Sequence, residues 1–240
     1  MRGLIALAGK LYHSSSKNSE VGIEQREESL KWLQTYCTQA DYIIAADGGL
    51  NHLYTLDVPP NLFIGDQDSI DSEAWSWGIN NGMQQNVLQT HKNLTDGEAA
   101  FKKAIDNGCI DLAVICSLGD LRPDHVLGNY LLLSQLKASF GGTITATDGH
   151  SIAFFLHGPE TLNIKVLNLT PAQRDGYISV LPLLSSLEGV TLSGLTYPLN
   201  HADIKLGSTL GISNERSAKT DEITIQVDGG SGVVLIVPKD

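Results

Sequence analysis

Residues 42–69 read YIIAADGGLNHLYTLDVPPNLFIGDQDS. The apolar run Tyr42-Ile43-Ile44-Ala45-Ala46 predicts a short buried strand that ends at Asp47-Gly48-Gly49. A helical stretch follows to about Leu56, and Leu62-Phe63-Ile64-Gly65 predicts another strand that ends at Asp66-Gln67-Asp68-Ser69. A strand–helix–strand unit with acidic turns at both strand ends is the repeating element of a parallel sheet covered by helices.

The same alternation extends outward. Residues 3–8 predict a strand, and residues 24–39 a helix with Leu30, Trp32, Leu33 and Tyr36 at helical spacing. Residues 95–107 predict a helix opened by a Thr95–Glu98 capping box and closed at Gly108. Residues 112–116 predict a strand, Pro123 opens a helix running through His125 to about Ala138, and residues 143–147 predict a further strand. The expectation is a Rossmann-like parallel α/β domain over residues 1–150. Beyond it, short alternating runs (SIAFFLH, NIKVLNL, YISVLPL, GVTLSGL, EITIQV, GVVLIVP) are broken by turn residues. They predict an antiparallel β-sandwich domain over residues 151–240, jointed at Asp148-Gly149-His150.

Composition narrows the function classes. A 42% hydrophobic content supplies a sizeable core, and a net charge of −11 without any basic run argues against nucleic acid and anionic membranes. If the substrate carries phosphate, a divalent cation must bridge it to so acidic a protein. The three cysteines, Cys37, Cys109 and Cys116, match no disulfide or zinc spacing. The opening MRGLIALAGKLYHSS reads as a buried strand rather than a signal peptide, and no apolar run is long enough to span a membrane. A cytoplasmic protein is expected.

In an open α/β sheet, sites form at the carboxyl ends of strands. Asp66 and Asp68, spaced i and i+2, would face one side of an extended backbone and reach one hard cation; a solvated turn accounts for this pair alone equally well. Asp47 ends the preceding strand, where Gly48-Gly49 permits close backbone approach to an anion, or where Asp47 caps the helix. Asp96, beside Lys92 and Thr95, suits a metal or simply the helix dipole. Arg122 offers a planar fork for phosphate oxygens, and Asp124 and His125 follow it into a helix. Trp75 and Trp77 read as packing residues or as a stacking surface for an aromatic ring. Ala8-Gly9-Lys10 is not a Walker loop, and neither a nucleophile elbow nor an HExxH motif occurs.

Taken in order, these segments resemble the thiamine pyrophosphokinase family. Ala46-Asp47-Gly48-Gly49-Leu50-Asn51 resembles its A-D-G-G-x-N, and residues 60–69 (PNLFIGDQDS) its P-x-x-x-x-G-D-x-D-S. Residues 91–100 (HKNLTDGEAA) resemble D-x-D-x-T-D-x-x-x-A, with His91 and Asn93 in place of two acids. Residues 120–129 (DLRPDHVLGN) resemble G-G-R-x-D-H-x-L-x-N, with Asp120-Leu121 in place of the glycine pair. Residues 194–199 (GLTYPL) and Ser213-Asn214-Glu215 resemble G-L-x-Y-P-L and S-N-E. The resemblance implies transfer of the terminal pyrophosphoryl group of ATP to the thiamine hydroxyl, giving thiamine diphosphate and AMP. It implies a homodimer with the thiamine site between subunits. It places Mg2+ on Asp66, Asp68 and Asp96, with Asp47 as a fourth catalytic acid. Lys92, Thr95, Arg122, Asp124, His125 and Asn129 would bind ATP, and Ser213 and Asn214 thiamine. The alternatives are a related enzyme acting on another hydroxymethyl heterocycle, such as a pterin, and a non-catalytic nucleotide- or thiamine-binding homologue.

Overall fold

The computed structural model describes residues 1–11, 22–87, 95–119, 122–218 and 220–239. The chain divides into two compact units, residues 1–123 with 142–149, and residues 124–141 with 150–240.

In the first unit, β1 (Arg2–Ala6), β2 (Tyr42–Ala46), β3 (Leu62–Gly65), β4 (Gln84–Val87), β5 (Asp111–Ile115) and β6 (Thr143–Thr147) form a parallel sheet in the order β6-β5-β1-β2-β3-β4. The central strands are apolar because both sheet faces are covered: Leu4, Ile5, Ile44, Ala45, Phe63, Ile64, Leu112 and Ile115 are buried. The helices are α1 (Gly22–Cys37), α2 (Gly49–Thr55), α3 (Ser72–Asn80) and α4 (Asp96–Asp106). The capping box on α4 forms as the sequence predicts. Thr95 N–H donates to Glu98 Oε2 at 2.8 Å, and Glu98 N–H donates to Thr95 Oγ1 at 3.2 Å. At its far end Gly108 N–H bonds Ile105 O and Cys109 N–H bonds Ala104 O, a Schellman closure.

Helix α3 and strand β4 have no counterpart in the sequence expectation. Trp75 of α3 packs edge-on against Phe63, with ring centroids 5.3 Å apart, and Trp77 packs against Tyr54 at 5.5 Å. Both tryptophans are therefore packing residues. Cys37, Cys109 and Cys116 are free and buried. Among the described residues, no helix is long and apolar enough to cross a membrane.

The chain advances from β1 through β2 and β3 to β4 on one side, then returns through α4 to β5 on the other side of β1. The ends of β1 and β5 therefore mark the topological switch point. The segments leaving these strands are stitched together by Leu7 N–H to Ile115 O at 3.1 Å and Lys10 N–H to Gly119 O at 3.0 Å.

The second unit contains α5 (Pro123–Phe140) from Asp124 onward, and two antiparallel sheets. One has the order β12-β9-β14-β7, from β7 (Ile152–His157), β9 (Tyr177–Pro182), β12 (Asn214–Glu215) and β14 (Ser231–Val237). The other has the order β11-β10-β13-β8, from β8 (Glu160–Lys165), β10 (Leu187–Ser193), β11 (Leu199–Ile204) and β13 (Glu222–Val227). Period-2 burial follows from the pleat: Ile223, Ile225 and Val227 are buried in β13, and Ile178 and Val180 in β9. The run NIKVLNL is a strand only to Lys165, and Val166–Asn168 is a 3-10 turn. The sequence expectation placed α5 before the domain joint. Its grouping with the second unit has visible causes: Lys137 Nζ meets Glu160 Oε1 of β8 at 2.7 Å, and the Tyr130 ring lies 6.1 Å from Phe155 of β7.

Two glycines test these contacts in opposite directions. A Cβ at Gly49, the first residue of α2, would lie 2.0 Å from the carbonyl oxygen of Ala6. Gly49→Ala is expected to lower stability by about 1–3 kcal/mol, since strand and helix must separate to admit the methyl. Gly128, inside α5, has nothing within 4 Å of its Cβ position. Gly128→Ala is expected to raise stability by up to about 1 kcal/mol through helix propensity. Urea unfolding of both variants measures the two signs.

Candidate active site

The register of β2 on β3 assembles the site. Ala45 pairs Phe63 and Ala46 pairs Ile64, so residue 47 emerges beside residue 65. Asp47 N–H continues the ladder to Ile64 O at 3.0 Å. Asp47 has left-handed backbone, with φ 51°. Gly65 answers it with φ 144°, and a Cβ there would stand 3.2 Å from both the nitrogen and the Cα of Asp47. The bare backbone at Gly65 is what lets the two strand ends close on each other.

Asp47, Asp66 and Asp68 thus come together, with one carboxylate oxygen of each lying within 4.8 Å of the others. The sequence expectation gave Asp66 and Asp68 an extended backbone. The structure instead places Asp68 in a turn just past β3, where its N–H reaches Asp66 Oδ1 at 3.4 Å. The turn, not a strand pleat, brings the two acids to one side. Asp47 does not cap α2: Gly48 holds the cap position without a side-chain bond, and Asp47 Oδ1 accepts the Ser69 hydroxyl instead.

Asp96, in the first turn of α4, is half-buried and stands outside this group of three. It still feels the group. Burial pushes its carboxyl above the usual aspartate value, and the charges of Asp47 and Asp66 push it further. Asp68 is also raised, first by its hydrogen bond with Asp66, then by repulsion from Asp66 and, less, from Asp47. Three carboxylates held together against their own repulsion are a donor set for a hard, oxygen-seeking cation such as Mg2+, and such an ion would relieve that repulsion.

The other sequence-predicted residues divide by unit. In the first, Thr95 is exposed, but its hydroxyl caps α4. Arg122 is exposed on the segment entering α5. Lys92, His91, Asn93 and Asp120-Leu121 lie outside the described residues. In the second unit, Asp124, His125 and Asn129 ride on the first two turns of α5. Ser213 is exposed with φ 57°. Asn214 is buried and its amide is committed to the fold: Oδ1 accepts Tyr197 N–H at 3.0 Å and Glu215 N–H at 2.8 Å, and Nδ2 donates to Tyr197 O at 2.7 Å. Asn214 therefore positions Tyr197, which is 68% exposed.

Two residues to which sequence reasoning assigned no role touch the acidic corner. Ser69 bonds Asp47, and Asn51 of α2 bonds the backbone of the 66–71 turn. The one signal available was their place inside the two acidic motifs.

Comparison with known proteins gives concordant results. The family model for the thiamin pyrophosphokinase catalytic domain matches residues 33–143, and that for the thiamin pyrophosphokinase vitamin B1 binding domain matches residues 166–231. The thiamine pyrophosphokinase of Bacillus subtilis (strain 168) is 30% identical over 184 residues, covering 76% of this chain and 82% of that protein. The crystal structure of a thiamin pyrophosphokinase family protein from Enterococcus faecalis superposes with a TM-score of 0.72 at 22% identity, covering 100% of both chains. Thiamin pyrophosphokinase from Candida albicans has the same fold at a TM-score of 0.69 and 17% identity, covering 98% of this chain and 88% of that one. The chain belongs to the thiamin pyrophosphokinase family.

Proposed function

We propose that this protein transfers the pyrophosphoryl group of ATP to the hydroxyl of thiamine, giving thiamine diphosphate and AMP, with Mg2+ held by Asp47, Asp66 and Asp68 and with Asp96 close by. The observation that carries the reading is the convergence of Asp47, Asp66 and Asp68 at the ends of two adjacent strands, inside the segment that matches the family's catalytic domain. A pterin-like acceptor is not favoured, because residues 166–231 match a vitamin B1 binding domain.

The chemistry is a displacement at the β-phosphorus. The thiamine oxygen forms a bond to it, the bond to the bridging oxygen on the α-phosphorus breaks, and AMP leaves. Bound Mg2+ would supply charge neutralisation on the phosphate oxygens. The protein's own part is positioning and electrostatics. Asp47, Asp66 and Asp68 would hold the cation. Asp96, whose proton affinity is raised above that of an ordinary aspartate by burial and then by the charges of Asp47 and Asp66, is suited to take the proton that the hydroxyl loses. Lys92 and Arg122 would hold phosphate oxygens, and Thr95, Asp124, His125 and Asn129 would complete the nucleotide contacts. In this reading residues 1–150 are the ATP- and metal-binding domain and residues 151–240 the thiamine-binding domain.

On the thiamine side, Ser213 would make the contact, and Asn214 would act through the Tyr197 loop it holds. A homodimer with thiamine bound at the subunit interface accounts for the exposure of Leu210 (59%) and Ile212 (46%) beside Ser213. A cytoplasmic location suits a chain without a membrane-crossing helix among its described residues.

Incubation with ATP, Mg2+ and thiamine should yield AMP and thiamine diphosphate in equal amounts. Asp66→Asn and Asp68→Asn should each abolish Mg2+-dependent turnover with an unchanged far-UV circular dichroism spectrum. Near-normal turnover in either variant would remove the metal assignment.

The raised carboxyls also set a pH dependence. A carboxyl raised by folding favours the fold while protonated, and that contribution is lost as pH climbs through its folded value. Ionised Asp68 therefore works against the metal-free fold at neutral pH. Asp68→Asn should raise the metal-free Tm at neutral pH. The gain should shrink as pH falls toward 3.8, the usual aspartate value. Mg2+ should stabilise the wild type more than the variant. Thermal melts across pH, with and without Mg2+, read all three.

A further inference from the structure

Helix α2 carries two adjacent side chains that reach different loops of the catalytic edge. His52 Nε2 lies 2.6 Å from the carbonyl oxygen of Gly9, in the segment after β1. Asn51 reaches the acidic turn and spends both ends of its amide there. Its Nδ2 donates to Ser69 O at 3.1 Å, and its Oδ1 accepts Asp71 N–H at 3.0 Å. Ser69 in turn donates its hydroxyl to Asp47 Oδ1.

We infer that Asn51 is a positioning residue for metal binding: it clamps the 66–71 turn so that Asp66 and Asp68 stay against Asp47 before any cation arrives. The inference rests on the Mg2+ reading proposed above and deepens it. The physical need is specific. The carboxylate oxygens of Asp47, Asp66 and Asp68 lie within 4.8 Å of one another, and like charges at that spacing repel and push the turn outward. The turn is exposed at Gln67, Asp68 and Ser69, so burial does little to hold it. The Asn51 amide resists that drift by pairing with a carbonyl and an N–H two residues apart. A side chain that both donates and accepts is required, and an added charge is unwelcome. Aspartate at 51 would accept from Asp71 but could not donate to Ser69 O, and it would bring another negative charge to the corner. The Ser69–Asp47 bond extends the clamp from the turn to the end of β2. The amide thus connects three elements that supply or support the acids: α2, the turn after β3 and the end of β2.

The test is direct metal binding by the full-length protein, using Mn2+ as probe in calorimetric titration, beside Mg2+ activation of turnover. Asn51→Ala should weaken Mn2+ binding by about 10-fold or more, the usual cost of losing a partner that orients ligands. The Mg2+ concentration for half-maximal turnover should rise by a similar factor, and turnover at saturating Mg2+ should recover to within about 2-fold. Asn51→Asp, nearly isosteric, should bind Mn2+ more weakly than wild type despite its added charge, which keeps the inference readable if the alanine variant folds poorly. His52→Ala, which loosens the other loop, should leave Mn2+ affinity unchanged. Asp68→Asn is the control for the underlying site. If it loses Mn2+ binding while both Asn51 variants bind normally, the clamp is refuted and the metal site stands. If Asn51→Ala binds Mn2+ normally but loses turnover at every Mg2+ concentration, Asn51 contacts substrate and the positioning role is overturned. If Asp68→Asn binds Mn2+ like wild type, the metal site itself falls, and the inference with it.

Discussion

The parallel pairing of β2 with β3 is the constraint on which the catalytic edge depends. Its register sets residue 47 beside residue 65, and every later contact in the acidic corner follows. A slip of one residue would exchange the two covered faces of one strand, set its side chains into packing shaped for their neighbours, and carry Asp47 away from Asp66. The apolar side chains that enforce the register are fully buried, so the energy of core packing is what holds like charges together. Fully burying one large apolar side chain contributes about 1.5–3 kcal/mol, and several act here at once. The corner is thus a strained electrostatic arrangement on a strongly stabilised platform, the usual division between a site and its scaffold.

Much of this was legible in the chain itself. The strands ending at Asp47 and Asp66 are apolar runs cut off by glycine and acid, and the signals that start and stop α4 are local. Local chemistry of that kind survives folding. Elements that depend on distant partners were not legible. Strand β4 has the polar sequence QQNV and exists because it pairs with β3 at the sheet edge. Strand β11 alternates poorly and is joined to β10 with irregular register, and β12 is only two residues long. Helix α3 holds few apolar residues beyond its two tryptophans and Ile79.

The site shows the same division. That acids would gather at strand ends follows from motif and topology. Which acids meet does not, because Asp47 and Asp66 are brought together by inter-strand register while Asp68 arrives by a turn. The family resemblance placed Asp96 beside Asp66 and Asp68, and the structure adds Asp47 to those two in one tight group. Asn214 carries a similar lesson. Its motif suggested substrate contact, and in the structure its amide makes three hydrogen bonds to the backbone of Tyr197 and Glu215. A motif residue can matter to a ligand by shaping the loop that meets it.

The left-handed backbone at Asp47 has a consequence for chemical interchangeability. Asparagine and aspartate are among the few side-chain-bearing residues that tolerate such a conformation. Glutamate would keep the charge but forfeit that tolerance, and its longer arm would set the carboxylate elsewhere. Asparagine would keep the tolerance and forfeit the charge. Glycine would relax the chain and leave no ligand at all. Under the proposed metal role, position 47 therefore admits one residue type, and the restriction comes from the geometry of the main chain as much as from the charge a cation would need. A substitution table would score Asp to Glu as mild; here it is among the least conservative changes the corner could undergo.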